Sequence, residues 1–323
     1  MSPSPPLGIA LAFLCLGILG AMPILSNARP AGFDGLTFAI WLTFWQLLSA
    51  LPLFLGEMAR SRRGATRPRA WTGRRGRTLA IALATGAMFG LSTYMYVVAA
   101  EKAGAVSAAV ALQAYPLFAI LWEALFLGKR KTPAELAFTA LMIGALVYLI
   151  TNGTFLISGI SWWSVFALGI PLLWSVAHIL LKRVLDTTPI TPNQVTVSRL
   201  VISGVTLLLL HAAFGEAGAL TRGLFDLDFQ RAAFVMGFAY YLELIIWFYA
   251  IRHIEVSVAS SVTVPAPAVT MLIAVTVLGE EVARYQVLAM IVIGAAMYGL
   301  LFAGKRARAG ARPSGTAAPD SAP

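Results

Sequence analysis

Charged residues make up only 12% of this chain of 323 residues, whereas residues of the apolar set make up 59%. About a quarter of the residues of an ordinary globular domain are charged, so this composition excludes a typical soluble domain. The single cysteine, Cys15, excludes a disulfide within the chain. Only three histidines are present, and no cluster of Cys and His has the spacing of a metal site, so we expect no metal.

Nucleotide-binding and targeting signals are also absent from the sequence. It contains no Gly-x-x-x-x-Gly-Lys loop, which excludes a P-loop that would drive transport with ATP, and we expect no cofactor. The segment Met1–Pro6 contains no Lys or Arg, whereas a cleaved signal peptide begins with a basic segment. We therefore predict a retained helix from Leu7 onward.

Long apolar runs dominate the rest of the chain, and the mean hydropathy is +0.80. A helix that crosses a bilayer needs about 20 mostly apolar residues. The segment 305–323 is basic and then rich in Gly, Ala, Ser and Pro, which predicts a disordered cytoplasmic tail. The apolar runs predict an all-α integral membrane protein with ten transmembrane helices, over Leu7–Asn27, Gly35–Gly56, Thr78–Ala100, Ala105–Leu127, Pro133–Thr151, Ser161–Leu181, Asn193–Phe214, Gln230–Ile251, Val256–Leu278 and Arg284–Gly304.

Basic residues predict which side of the membrane each loop faces, because Lys and Arg concentrate in cytoplasmic loops. Eight arginines lie between Arg60 and Arg77, and further basic residues follow the fourth predicted helix, end the sixth and open the tail. We therefore predict that both termini are cytoplasmic. The same bias accounts for the net charge of +10, so we expect a lipid bilayer and no nucleic acid as partner.

One pattern occurs twice in the chain. Small residues precede Pro116 and Pro267, which stand 151 positions apart, and Leu-Gly followed by a charged pair ends both apolar runs, at Gly128 and Gly279. The repeats predict two five-helix units, 1–152 and 153–304. Because five is odd, the second unit enters the membrane from the opposite side. Inverted repeats with a site near the midplane are typical of transporters, although a duplicated scaffold without transport is the alternative.

These motifs resemble the EamA-type drug/metabolite transporters over about Leu7 to Gly304. Glu280 stands where that family has its Leu-Gly-Glu, whereas the first copy has Lys129 instead, and the family's Trp near the start of each repeat is found only as Trp174. The resemblance implies a central cavity lined by the first, third, fourth, sixth, eighth and ninth helices, with the fifth and tenth outside. Among the members of this family, the chain most resembles bacterial amino-acid exporters of the inner membrane, including exporters of aromatic amino acids.

Polar and aromatic residues inside the predicted helices are candidates for the substrate site, because such groups are costly in a membrane. Several of them share a helix face at spacings of three, four or seven residues. We predict that aromatic walls with a few polar groups form the cavity, and that two prolines act in gating. The substrate-binding candidates are Ser92, Tyr96, Gln113, Trp174, His178, Tyr240, Glu243 and Trp247, and the gating candidates are Pro116 and Pro267.

Other interpretations remain open for most of these residues. The Trp and Tyr residues can belong to the aromatic belts at the membrane surfaces, His178 can be a packing residue, and the prolines can form static kinks. We expect Arg199 to pair with a carboxylate, because the second and seventh helices flank the cavity in the family. Gly86 and Gly90 predict close helix contact.

The sequence therefore predicts a secondary transporter that exports small organic metabolites, amino acids among them, by alternating access. The chain is expected to be a monomer or a weak dimer and not an enzyme. A proton is a candidate coupling ion, through Glu243 or His178, while downhill facilitation is favoured. Alternatives are a carrier of phosphorylated metabolites or nucleotide sugars, which would need cavity Lys or Arg, a channel, and a membrane enzyme that modifies lipids.

Overall fold

The computed structural model describes residues 4–62, 75–127, 132–188, 190–254 and 256–310. They contain ten helical spans that are long and apolar enough to cross a membrane, as the sequence predicts. The predicted cytoplasmic loop lies mostly outside these residues, as do the charged pair after Gly128 and the last part of the tail. The described helices are α1 (Pro5–Asn27), α2 (Gly35–Arg62), α3 (Arg75–Lys102), α4 (Ala105–Leu112), α5 (Tyr115–Leu127), α6 (Pro133–Ile150), α7 (Trp162–Thr187), α8 (Pro192–Phe214), α9 (Ala219–Phe225), α10 (Leu227–His253), α11 (Val256–Thr263), α12 (Ala266–Leu278) and α13 (Arg284–Gly310).

Two of the predicted helices are interrupted near their middle, contrary to the sequence analysis. The fourth span consists of α4 and α5, and the ninth consists of α11 and α12. Proline provides the physical reason, since its ring collides with the carbonyl four residues earlier and it cannot donate a hydrogen bond. For Pro116 that carbonyl belongs to Leu112, the last residue of α4, and for Pro267 it belongs to Thr263, the last residue of α11.

Two other features of the helices differ from the sequence prediction. A short helix, α9, lies between the seventh and eighth spans and was not predicted. Helix α13 continues to Gly310, which is six residues into the segment predicted as a disordered tail. Neither difference alters the number of membrane spans.

The two repeats pack on each other in a symmetrical pattern. Helix α1 of the first repeat packs on α10 of the second, and α7 of the second packs on α3 of the first in the same way. Likewise α3 packs on α8 and α10 packs on α2, while α6 packs on α13 and α2 on α8, each helix against its own counterpart. The fold is therefore all-α, with two inverted five-helix repeats joined face to face.

Glycines bring α3 and α8 unusually close, which confirms the helix contact predicted for Gly86 and Gly90. A Cβ atom added at Gly90 would lie 2.9 Å from the carbonyl oxygen of Ser203, and one at Gly86 would lie 2.6 Å from the side chain of Ile202. The hydroxyl of Ser203 also donates a hydrogen bond of 2.8 Å to the carbonyl of Gly86. Small residues of this kind let helix backbones approach in a membrane.

The two ends of the bundle are packed differently. We call the end at which α3 ends and α4 begins the Lys102 end, and the opposite end, where α6 begins, the Pro133 end. Residues 105–111 are all buried at the Lys102 end, whereas no residue of 51–60 or 76–84 is buried near the Pro133 end. The bundle is therefore closed at the Lys102 end and looser at the Pro133 end.

Polar contacts also close the Lys102 end. The side chain of Asn27 donates a hydrogen bond of 2.8 Å to the carbonyl of Ala100, which ties α1 to α3. Gln286 at the start of α13 donates one of 2.8 Å to the hydroxyl of Ser107 in α4. Each of these bonds joins two different helices at this end of the bundle.

Candidate functional site

A cavity of about 640 Å³ lies between the two repeats, beside both helix interruptions. Of the ten site residues predicted from the sequence, all except Ser92 contribute to its wall. Their common position is a geometric result, and their contact with a substrate stays a prediction. The residues on the wall are Tyr96, Gln113, Pro116, Trp174, His178, Tyr240, Glu243, Trp247 and Pro267.

Helical spacing explains why equivalent helices of the two repeats face the cavity. On α10, Tyr240, Glu243 and Trp247 stand three and seven residues apart, so they project from one side. On α3, Phe89 and Tyr96 stand seven apart and do the same. These two helices thus form opposite walls, and both walls are rich in aromatic side chains.

Aromatic contacts connect the walls. The ring of His178 in α7 lies 5.4 Å from that of Phe89 and 5.7 Å from that of Tyr115, between centroids. The rings of Tyr96 and Tyr240 are 6.2 Å apart across the repeats. Ring pairs at such distances are mutually stabilising, so each ring is held in place by its neighbours.

Ser92 has a different position from the one predicted. It is buried, with 1% of its surface exposed, and does not line the cavity. Its hydroxyl accepts a hydrogen bond of 2.9 Å from the indole nitrogen of Trp174, and it donates one of 3.0 Å to the carbonyl of Phe89. Ser92 therefore fixes the indole of Trp174 against α3, and Trp174 presents its ring to the cavity.

The prediction that Arg199 pairs with a carboxylate is wrong for the described residues. Arg199 lines the cavity, and no ion pair joins it to a carboxylate among the described residues. Its guanidinium carbon lies 4.2 Å from the centre of the Phe89 ring, a cation–π contact that offsets part of the cost of burying the charge. The Nε atom is buried and has no hydrogen-bond partner among the described residues.

Glu243 faces the same cavity from α10. Its carboxylate makes no ion pair or hydrogen bond with a described residue, although its backbone carbonyl accepts a hydrogen bond of 3.6 Å from the thiol of Cys15. It lies within electrostatic range of Arg199 and Tyr96. Arg199 and Glu243 therefore form no ion pair with each other, and both residues line the cavity.

More helices line the cavity than the resemblance implied. Helices α2 and α8 contribute Thr43, Gln46, Arg199 and Ser203, and the outer pair, α6 and α13, contributes Glu135 and Met297. The expectation that the fifth and tenth spans lie outside is wrong for their ends near Pro133, because the looser packing there lets the cavity extend to them. The buried polar residues of α2 were missed, although their polarity inside an apolar helix was a usable signal.

The helix interruptions meet beside the cavity. The side-chain amide of Gln113, which follows α4, donates a hydrogen bond of 3.3 Å to the carbonyl of Val264, which follows α11. Pro116 and Pro267 lie one turn further on in α5 and α12, and both line the cavity. Backbone carbonyls that lack a helical partner are tolerated inside a membrane where they face a cavity or another protein group.

A known protein family matches this chain along most of its length. The model of the EamA-like transporter family matches it twice, over residues 6–151 and 161–302. The chain belongs to the EamA-like transporter family. It is thus a multi-pass membrane protein and a transporter of small molecules, and the members of the EamA-like family are transporters and not enzymes.

Other comparisons show the fold of this EamA-like transporter only. A crystal structure described simply as that of a protein is similar, with a TM-score of 0.59 and 16% sequence identity, and the match covers 94% of this chain and 100% of that chain. No curated protein matches. The EamA-like assignment therefore does not name a cargo.

Proposed function

We propose that this transporter exports amino acids, including aromatic ones, from the cytoplasm across a bacterial inner membrane by alternating access. The aromatic wall of the cavity supports this cargo, since flat apolar surfaces with a few polar groups favour a small amphipathic molecule. In this proposal Ser92 positions Trp174. The residues that contact the cargo are Tyr96, Gln113, Trp174, His178, Tyr240, Glu243 and Trp247.

The difference between the two bundle ends fits a state in which cargo enters the cavity from the cytoplasm. The cavity is closed towards the Lys102 end, where Asn27 and Gln286 bridge helices, and its lining reaches Glu135 near the Pro133 end. The distribution of basic residues predicts that the Pro133 end is cytoplasmic. In this proposal, the structure corresponds to the state in which cargo is loaded from inside the cell.

Alternating access then requires the Lys102 end to open while the Pro133 end closes. The symmetrical packing of α1 on α10 and of α7 on α3 gives two similar interfaces along which the repeats can rock. The interruptions next to Pro116 and Pro267 divide two spans into halves that can tilt separately, which is the gating role proposed for these prolines.

The proposal is tested by flux from proteoliposomes. Purified protein is reconstituted into vesicles that contain a panel of radiolabelled amino acids, and release is followed over time against protein-free vesicles. We expect release of phenylalanine, tyrosine and other bulky apolar amino acids. Release of none of the twenty amino acids would refute the proposed cargo.

Variants connect the flux to the cavity. Trp174→Ala, His178→Ala, Tyr96→Ala and Trp247→Ala should each lower the flux, while the protein still elutes as a single folded species. Trp162→Ala is the matched control, because Trp162 is 74% exposed at the start of α7 and does not line the cavity. Equal flux in all four cavity variants and the parent would show that the cargo does not use this cavity.

A phosphorylated metabolite remains a second cargo to test, because Arg199 lies on the cavity wall and an arginine suits phosphate. Glu243 on the same wall repels such an anion, which is why we rank it below an amino acid. A sugar phosphate and a nucleotide sugar are included in the flux panel for this reason.

A further inference from the structure

Two opposite charges face one cavity without forming an ion pair. The guanidinium of Arg199 comes from α8 and rests on the ring of Phe89, and the carboxylate of Glu243 comes from α10. No nitrogen of the guanidinium lies within 4.0 Å of an oxygen of this carboxylate. The two charged groups are therefore not in direct contact.

The third charged residue on the described part of the wall has another role. Glu135 stands at the start of α6, where its carboxylate accepts a hydrogen bond of 2.8 Å from the backbone nitrogen of Thr132 and one of 3.0 Å from the Thr132 hydroxyl. This capping box uses the charge of Glu135 to begin the helix. Arg199 and Glu243 are therefore the formally charged groups that the described wall leaves available to a ligand.

Charges placed in this way are costly without a partner. Removing an ion from water costs several kcal/mol unless a counter-charge and hydrogen bonds compensate for it. The guanidinium of Arg199 rests on the ring of Phe89 and forms no ion pair with a described residue, and its Nε atom is buried without a hydrogen-bond partner among the described residues. A ligand that carries both a carboxylate and an ammonium group would supply a counter-charge to both residues at once. Because such a ligand has no net charge, its binding would not change the net charge of the cavity.

The chemistry of the two groups suits such a ligand. A guanidinium binds a carboxylate through two parallel hydrogen bonds, and a carboxylate accepts from an ammonium at about 2.8 Å. The aromatic surface next to these charges comes from Tyr240 and Trp247 on α10 and from Tyr96 on α3. An apolar side chain attached between the two charges of the ligand would lie against these rings.

We propose that Arg199 and Glu243 form a dipolar anchor that binds the carboxylate and the ammonium group of an α-amino acid zwitterion. This inference rests on the proposed function and adds to it the part of the cargo that is recognised. The anchor binds the two charged groups that all α-amino acids share, and the aromatic wall contacts the side chain. Molecules with the same side chain and only one of the two charges bind less well.

The first experiment uses the parent protein and three probes that share one phenyl group. Labelled phenylalanine is transported in proteoliposomes, and unlabelled phenylalanine, phenethylamine and 3-phenylpropionate compete with it. We expect each single-charge analogue to compete at least tenfold more weakly than phenylalanine, as the loss of one charge-assisted hydrogen bond predicts. Equal competition by either analogue would overturn the anchor.

The second experiment assigns each charge to its residue. Arg199→Gln should remove the preference for phenylalanine over phenethylamine, which lacks the carboxylate, and keep the preference over 3-phenylpropionate. Glu243→Gln should do the reverse. Arg199→Lys is also measured, since it keeps the charge and should restore part of the discrimination even if Arg199→Gln folds poorly.

The matched controls are Arg222→Gln and Glu216→Gln, which change an exposed ion pair of 2.7 Å outside the cavity. Both should leave the ranking of the three probes unchanged. If the parent transports phenylalanine and the cavity variants rank the probes as the parent does, the anchor is refuted while the proposed function stands. If the parent transports no amino acid, the proposed function itself is refuted, and the anchor with it.

Discussion

The side-chain amide of Gln113 donates a hydrogen bond to the backbone carbonyl of Val264, a residue that stands 151 positions later. This separation equals the offset between the two repeats, so the bond joins equivalent points of the two interrupted spans. It lies between α4 and α11, one turn before Pro116 and Pro267. The two interruptions are thus linked directly to each other.

Loss of this link is the first prediction. Gln113→Leu removes the donor and leaves the Val264 carbonyl, in a residue that is 4% exposed, without its partner. We expect the free energy of unfolding to fall by about 1 kcal/mol and the flux of the reconstituted protein to fall as well. Arg284→Leu is the control, because Arg284 is exposed at the start of α13 and does not line the cavity. Thermal stability and flux equal to those of the control would contradict a role for the bond.

The second prediction concerns Ser92 and Trp174. Ser92→Ala removes the acceptor of the indole hydrogen bond of 2.9 Å, so the Trp174 ring is no longer fixed against α3. We expect a higher KM for the cargo with a smaller change in maximal rate, because positioning of a wall residue is lost and the rocking interfaces are kept. Ser198→Ala on the exposed side of α8 should behave as the parent. A KM unchanged by Ser92→Ala would show that this bond does not matter for binding.

The third prediction concerns the contact between α3 and α8. Gly90→Ala places a Cβ atom 2.9 Å from the Ser203 carbonyl oxygen and 3.0 Å from its Cα, both of which are backbone atoms. We expect a loss of about 1–3 kcal/mol in stability through overpacking. Gly204→Ala is the control, since nothing lies within 4 Å of its added Cβ. Thermal unfolding of the two variants should therefore differ clearly, and equal melting temperatures would contradict the close contact.

The fourth prediction concerns orientation. Cys15 is buried, so the parent should react little with a membrane-impermeant thiol reagent. Ala217→Cys lies in an exposed turn at the Lys102 end and should be labelled from outside intact cells, whereas Ala59→Cys near the Pro133 end should be labelled only after the cells are opened. The reversed labelling pattern would place the termini outside and would require the direction of transport to be reconsidered.

The fifth prediction concerns coupling. If Glu243 serves to hold the ammonium group, it is not required as a proton carrier, and cargo should run only down its own gradient. The groups that face or adjoin Glu243 are Arg199, Tyr96, Tyr240 and Cys15. We expect a pH gradient across the vesicle to leave the final distribution of phenylalanine unchanged. Accumulation driven by the pH gradient in the parent, and abolished in Glu243→Gln, would show that Glu243 carries a proton.

The sequence predicts the ten spans well because each apolar run has the length of a bilayer and ends at polar residues. It does not predict the interruptions as breaks, because proline is compatible with either a kink or a break, and the choice depends on what receives the freed carbonyls. In the structure Gln113 donates across the repeats to the carbonyl of Val264, the residue after Thr263, and a pattern along one helix does not reveal this bond.

The wall of the cavity is predictable where it follows helical spacing within one helix, as for Tyr240, Glu243 and Trp247. Arg199 is different, since its position depends on how α8 rests on α3. Gly86 and Gly90 allow that close approach, which brings the Arg199 side chain over the Phe89 ring and into the cavity. Contacts of this type depend on the rotation of two helices relative to each other, and composition does not set it.

The bond between Gln113 and Val264 has no symmetry-equivalent partner. Val264 occupies the position equivalent to Gln113, and valine has no side-chain donor. The charges of the cavity have no equivalents either, since the positions 151 residues before Glu243 and Arg199 are Ser92 and Leu48. In a perfectly repeated chain the two access states would be related by a two-fold rotation and would have equal free energy. Under the proposed alternating access, the differences between the two halves give the two states different free energies, and we expect the empty carrier to prefer one of them.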